Sequence, residues 1–268
     1  MKKPFIVFCF LFFTLAACTS GTGNNEAADD LTATSLPVPT ETLTATLPPG
    51  VTPSATASIT PTLAPDAWKT MPVFPQDISE RMIEVYQRGL ARGRDSKRFS
   101  KFGDCQSVNP YFLTMFDTGD YRLGDYAYLQ PTIDHFAGSW ARDSFGVKGG
   151  FNVASVQTLY WTDPANCGKN TPPMACEINK FNPSIVVISF EVWWEKPAAD
   201  YEMRMHSLVD FVLSQDVVPI LATKADNYEG NDSVNAAIAR VAYDYGIPLW
   251  NFWAATYPLD GHGVTEDG

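Results

Sequence analysis

Apolar residues crowd the first segment, FIVFCFLFF at 5–13, and then thin out until Trp68. Beyond Trp68 they return with a period. In Pro75–Arg94, Met82, Ile83, Tyr86 and Leu90 recur at helical spacing behind a cap at Asp77 or Ser79, which predicts an amphipathic helix. Ser184–Trp194 is an unbroken apolar, β-branched run, the pattern of a strand covered on both faces. Ala199–Gln215 reads as a helix with Met205, Leu208 and Val212 on one stripe, and Val217–Lys224 as a second buried strand. Asp232–Gly246 reads as a helix capped by Asp or Ser and closed by glycine, and Ile247–Ala255 as a third strand. Strands alternating with helices at this spacing predict crossover units, hence an α/β fold: a three-layer α/β/α sandwich around a central parallel sheet. Functional loops then belong outside the carboxyl ends of the strands: after RFSKFGD (98–104), after VVISF (186–190) and after LWNFW (249–253).

Composition divides the 268 residues into three parts. Two lysines, a short apolar run and the small residues before Cys18 make 1–18 an export signal. LAAC, ending at Cys18, resembles a bacterial lipobox, which implies cleavage before Cys18 and lipid on its thiol. An uncleaved signal or membrane anchor is the alternative. Residues 19–67 are Thr, Pro, Ser and Ala with no aromatic side chain until Trp68, too poor in apolar surface to offset ordering entropy. They read as a disordered stalk. Residues 68–268 remain as one globular domain. The expected location is the outer side of a cell membrane, lipid-anchored. A net charge of −11 without basic clusters argues against nucleic acid. In an oxidising compartment Cys167 and Cys176, flanking GKNTPPMA, are expected to pair. Cys105 is left over, either a reactive thiol or an inert one.

FGDCQS (102–107), TGDYRLGDYAYLQPTIDHF, NPSIVVISF, PILATKADN, IPLWNFW and the closing EDG follow one another in an order that resembles the SGNH (GDSL-type) hydrolases, in particular their extracellular bacterial branch. The resemblance runs from about Phe99 to the end and implies a flavodoxin-like sandwich and an esterase or acetyl-hydrolase ancestry. Gly103 and Asp104 match the family motif, but the nucleophilic serine position holds Cys105. A thiol there is either an attacking group or a dead replacement, since a site shaped for serine is poorly filled by the bulkier sulfur, and Ser107, two residues on, is a lesser candidate and by default a turn residue. Gly149 and Gly150 in VKGGFN are the candidates for the oxyanion-binding N–H that the resemblance implies, with a plain turn as the alternative. The family's Gly-x-Asn-Asp is replaced by Phe190, Glu191, Val192 and Trp193, which removes an oxyanion donor that typically contributes about a hundred- to a thousandfold in rate. Asp267 matches the acid of the family's Asp-x-x-His, and the sequence given stops before the histidine position. His262 is the alternative base. His135 and His206 lie on helical patterns and read as surface side chains.

Two function classes follow. One is an esterase or acetyl-hydrolase with a degenerate site, attacking an extracellular acyl ester, such as one on a polysaccharide, through Cys105. The other is a non-catalytic surface protein that binds glycan, with Trp193 and Trp194 lining the cleft. Trp250 reads as core, and Trp253 is open between cleft and core. Asp117, Asp120 and Asp125 lack the spacing of a calcium loop and read as a solvated acidic loop, so no metal and no cofactor is expected. Nothing in the pattern asks for a partner chain, and a monomer is expected.

Overall fold

A computed structural model describes residues 62–191, 193 and 197–263. Cys18, Trp194 and Asp267 therefore lie outside the described residues, as do the export signal and nearly all of the stalk. Four parallel strands form one sheet in the order of the chain: β1 (Asp95–Gly103), β2 (Pro183–Ser189), β3 (Val218–Ala222) and β4 (Leu249–Trp250). An isolated parallel bridge between Gly103 and Val147 adds one rung at the outer edge of β1. The helices that flank the sheet are α1 (Glu80–Ala91), α2 (Pro173–Phe181), α3 (Ala198–Ser214) and α4 (Ser233–Tyr245). α3 and α4 are the crossovers that parallel neighbours require. The α/β architecture read from the pattern is the one observed.

Local chemistry sets the boundaries. Ser79 caps α1 by accepting the Met82 N–H, and Asp77 does not. Asn182 ends α2 in the left-handed region at φ 56°, its side chain bonded to Gly93 O and Arg94, so the chain turns directly into β2. α4 closes on Gly246 at φ 63°, where a left-handed residue is needed. Its N-terminal neighbour Asp232 makes no cap bond and instead pairs with Lys69 at 2.8 Å.

Three expectations change, the first being that the run read as a strand over Ser184–Trp194 is strand only as far as Ser189. The buried stripe of α1 is Met82, Val85 and Gly89, while Ile83 and Leu90 are exposed. The backbone of Asp216 lies so close to Gly89 that a Cβ there would come within 2.3 Å of its carbonyl oxygen, and this contact fixes which side of the helix faces inward. The run Ile247–Ala255 is not one strand. β4 has two residues, and Asn251 then caps a short helix, α5 (Phe252–Thr256), by accepting the Ala254 N–H.

The residues at the centre of the sheet differ in burial by face. Val186 and Ile188 of β2 and Leu221 of β3 are fully buried, in one cluster with Leu208, Val212, Ala237 and Ile238 of α3 and α4. Their alternates, Ile185, Val187 and Ile220, are only half-buried. Burying a large aliphatic side chain stabilises by about 1.5–3 kcal/mol, so the first face supplies most of the core. Cys167 and Cys176 form a disulfide with their Cα atoms 5.4 Å apart, as expected.

Candidate functional site

The register aligns the strand ends, with Gly103 beside Ser189 and Ala222 beside Trp250. The residues that follow them meet at one edge of the sheet. Asp104 is fully buried, and its carboxylate accepts the N–H groups of Gln106 at 3.1 Å and Glu191 at 2.7 Å. It thereby ties the end of β1 to the end of β2. The chain then makes a single 3-10 turn, Cys105–Ser107. Ser107 is buried, donates toward Ser189 O at 3.4 Å, and packs where a Cβ on Gly103 would stand 2.1 Å from its Oγ. Ser107 is thus a structural wedge beneath the turn.

Cys105 is exposed and outside any disulfide. Partial burial pushes its thiol pKa up, and the negative charges of Asp104 and Glu191 push it further. Activated cysteines have the opposite setting, an electropositive one that favours thiolate. Gly149 does come close: the position a Cβ would take on it is 4.0 Å from Cys105 Cβ. The loop carrying Gly149 is pinned to β1 by Gly103 N to Gly146 O and Lys148 N to Gly103 O. Gly150, at φ 85°, follows in the turn. His262, the alternative base, stacks on Tyr257 with centroids 4.6 Å apart and places Nδ1 2.6 Å from Tyr257 O, and none of its contacts is with Cys105. Trp193 donates to Pro197 O and packs edge-on against Tyr201. That places it against the core, apart from the residues that line the cleft.

The sequence reading passed over the acids at the neighbouring strand ends. Glu191 is pushed up to about 7 by burial, with Asp104 and Asp226 adding to the shift and Lys224 opposing it. Lys224 is itself buried. Burial works against its charge, but bonds to Asp226 at 2.9 Å and Glu229 at 2.6 Å outweigh that and raise its pKa. The signal was present in the sequence: Glu191 is a carboxylate directly after a buried parallel strand, where ligand-binding groups collect.

Beside the turn lies a cleft of about 400 Å3, within the range of small-molecule sites. Ser107, Ser189, Glu191, Thr223 and Asp226 give it a polar floor, and Tyr111, Phe112, Tyr228, Trp250 and Phe252 give it aromatic walls. Tyr111 and Tyr228 are largely exposed. No group of three metal-ligating side chains occurs among the described residues. Asp117 instead accepts the Gly138 and Ala141 N–H groups, each at 2.8 Å, and so orders its loop as a backbone acceptor. His135 is exposed and bonded to Ser96 O, and His206 is half-buried and faces Asp244. Among the described residues no helix is long and apolar enough to cross a membrane.

No protein-family model and no curated protein matches the sequence. Among solved structures, the acetyl xylan esterase AlAXEase is similar at 16% identity and a TM-score of 0.40, over 61% of this chain and 83% of its own. A variant of the esterase AlinE4 is similar at 11% identity and a TM-score of 0.38, over 64% of this chain and 84% of its own. The fold and the cleft described above rest on this chain's own geometry.

Proposed function

We propose that the domain is a carbohydrate-binding module built on an SGNH-type α/β scaffold, carried outside the cell on a stalk lipidated at Cys18. In this reading ester hydrolysis through Cys105 is residual. The observation that carries it is the electrostatic setting of the strand-end turn. The nucleophile at the motif position has its thiol pKa raised by partial burial and by the charges of Asp104 and Glu191, while the adjoining cleft pairs aromatic walls with carboxylates. Flat rings suit the apolar faces of pyranoses, and carboxylate and hydroxyl oxygens accept from sugar hydroxyls. The test is retention of the exported domain on insoluble xylan, cellulose, chitin and peptidoglycan. Retention on at least one is expected, with loss in Tyr111→Ala and Tyr228→Ala, both exposed enough to spare folding. Retention on none would overturn the reading.

A second reading, an acyl-ester hydrolase with Cys105 as nucleophile, is favoured by the approach of Gly149 to Cys105. There the N–H of Gly149 or Gly150 would hold the oxyanion, and Asp267 would orient a base. It requires p-nitrophenyl acetate turnover that Cys105→Ala abolishes, and turnover unchanged in that variant would exclude it.

A further inference from the structure

The half-buried face of the sheet carries a second cavity. Phe99, Ile185, Val187 and Ile220 form its floor, and Phe74 and Ile78 lie at its rim. It measures about 590 Å3, and of the residues lining it only Thr132 has a polar side chain apart from the ring N–H groups of Trp140 and Trp250. Phe74 and Ile78 are exposed large apolar side chains. A groove of this kind leaves apolar area in water that both faces of a parallel sheet ordinarily bury.

Its relation to the polar cleft narrows what fits it. Trp250 lines both cavities. On one side its ring meets Phe112, a cleft residue, with centroids 5.9 Å apart, and on the other it stacks on Phe74, a groove residue, at 6.0 Å. The next residue after Phe112 is Leu113, which adopts φ 63°, a conformation that a branched side chain rarely takes. The outcome of that turn is that consecutive side chains serve different cavities, Phe112 the cleft and Leu113 the groove.

From this continuity, and resting on the carbohydrate reading of the cleft, we propose that the natural ligand is an amphiphile. Its polyhydroxylated head lies in the cleft at the strand ends, and its alkyl or acyl tail crosses Trp250 into the groove over Ile185, Val187 and Ile220. The ligand class is therefore glycolipid-like, and the cleft alone is half of the site.

The experiment is calorimetric titration of the purified domain with maltose, octyl maltoside and dodecyl maltoside, each below its micelle concentration. A methylene transferred into the groove tightens binding by about fourfold, so dodecyl maltoside should bind at least about tenfold more tightly than octyl maltoside. Phe74→Ala and Ile78→Glu, at exposed rim positions, should erase that gain. Equal affinity of the two alkyl maltosides overturns the proposal, and so does a gain that both rim variants retain. Dimerisation on sedimentation, abolished by the same variants, also overturns it, because a second copy would then cover the groove. Dodecanoate separates the two readings. If it binds as tightly as dodecyl maltoside and loses affinity in Phe74→Ala, the tail site stands and the carbohydrate reading of the cleft fails.

Discussion

At the residue scale, Glu191 carries the most distinctive chemistry. Its carboxyl is raised to about 7 in the folded chain against 4.5 as the ordinary value, with burial as the main cause. A group raised on folding contributes stability that is fully present below the unfolded pKa and is lost as pH rises through the folded one. Unfolding free energy should therefore fall between about pH 4.5 and pH 7, where the carboxyl of the unfolded chain has ionised and the buried one still holds its proton. Glu191→Gln removes that loss. Denaturant titrations should find the variant about 2–3 kcal/mol more stable than the parent at pH 8 and nearly equal to it at pH 4. A constant difference across that range would show that Glu191 is not the group responsible. The motif position was legible in the sequence, since Gly103, Asp104 and Cys105 stand at the end of β1 as read. The thiol's setting was not, because its neighbour Glu191 lies on another strand end and becomes a neighbour only through the register of β1 with β2.

At the element scale, the strand-to-turn junction depends on a missing Cβ. Gly103 lies against Ser107 Oγ and Ser189 O, which would stand 2.1 and 2.7 Å from an added Cβ. The second of these is backbone and cannot swing away. Gly103→Ala should cost about 2–4 kcal/mol, and Ser107→Gly should restore only part of it, because the carbonyl clash remains. Full rescue by Ser107→Gly, read from chemical denaturation, would contradict the close approach of the two strand ends. Hydrophobic period identified β2, α3 and α4 because each buries a long regular stripe. It failed for Ile247–Ala255, where apolar content is continuous but Asn251 interrupts with a side chain that caps α5. It also rotated the face of α1, since Ile83 and Leu90 satisfy the helical spacing, yet the contact at Gly89 turns them outward.

At the scale of the whole molecule, a buried amide joins the amino-terminal segment to the end of the sheet, beside the Lys69–Asp232 pair and the edge contact of Trp68 with Trp253. Asn251 is fully buried. Its N–H donates to Val73 O at 2.8 Å, and its side-chain amide donates to Trp68 O at 2.8 Å and Met71 O at 3.1 Å. Its Oδ1 accepts from Thr223, so β3 joins the same knot. Nothing in the sequence pairs position 251 with positions 68–73, because the link spans most of the domain and only the folded sheet closes it. Asn251→Ala takes the side-chain donor from Met71 O and one of the two donors from Trp68 O, which keeps the Met71 N–H, and should lower stability by about 1–3 kcal/mol. The arrangement also has a mechanical meaning. Tension applied ahead of Ala67 arrives first at these bonds and only afterwards at the sheet. In a force spectrometer gripping both termini, the parent should show an early, small yielding step as 67–73 peels from Asn251, ahead of the main rupture. Asn251→Ala, which keeps only the backbone bond to Val73 O, should yield at lower force, and a parent trace that breaks in one event would mean the amino-terminal strap shares load with the core and does not act as its fuse.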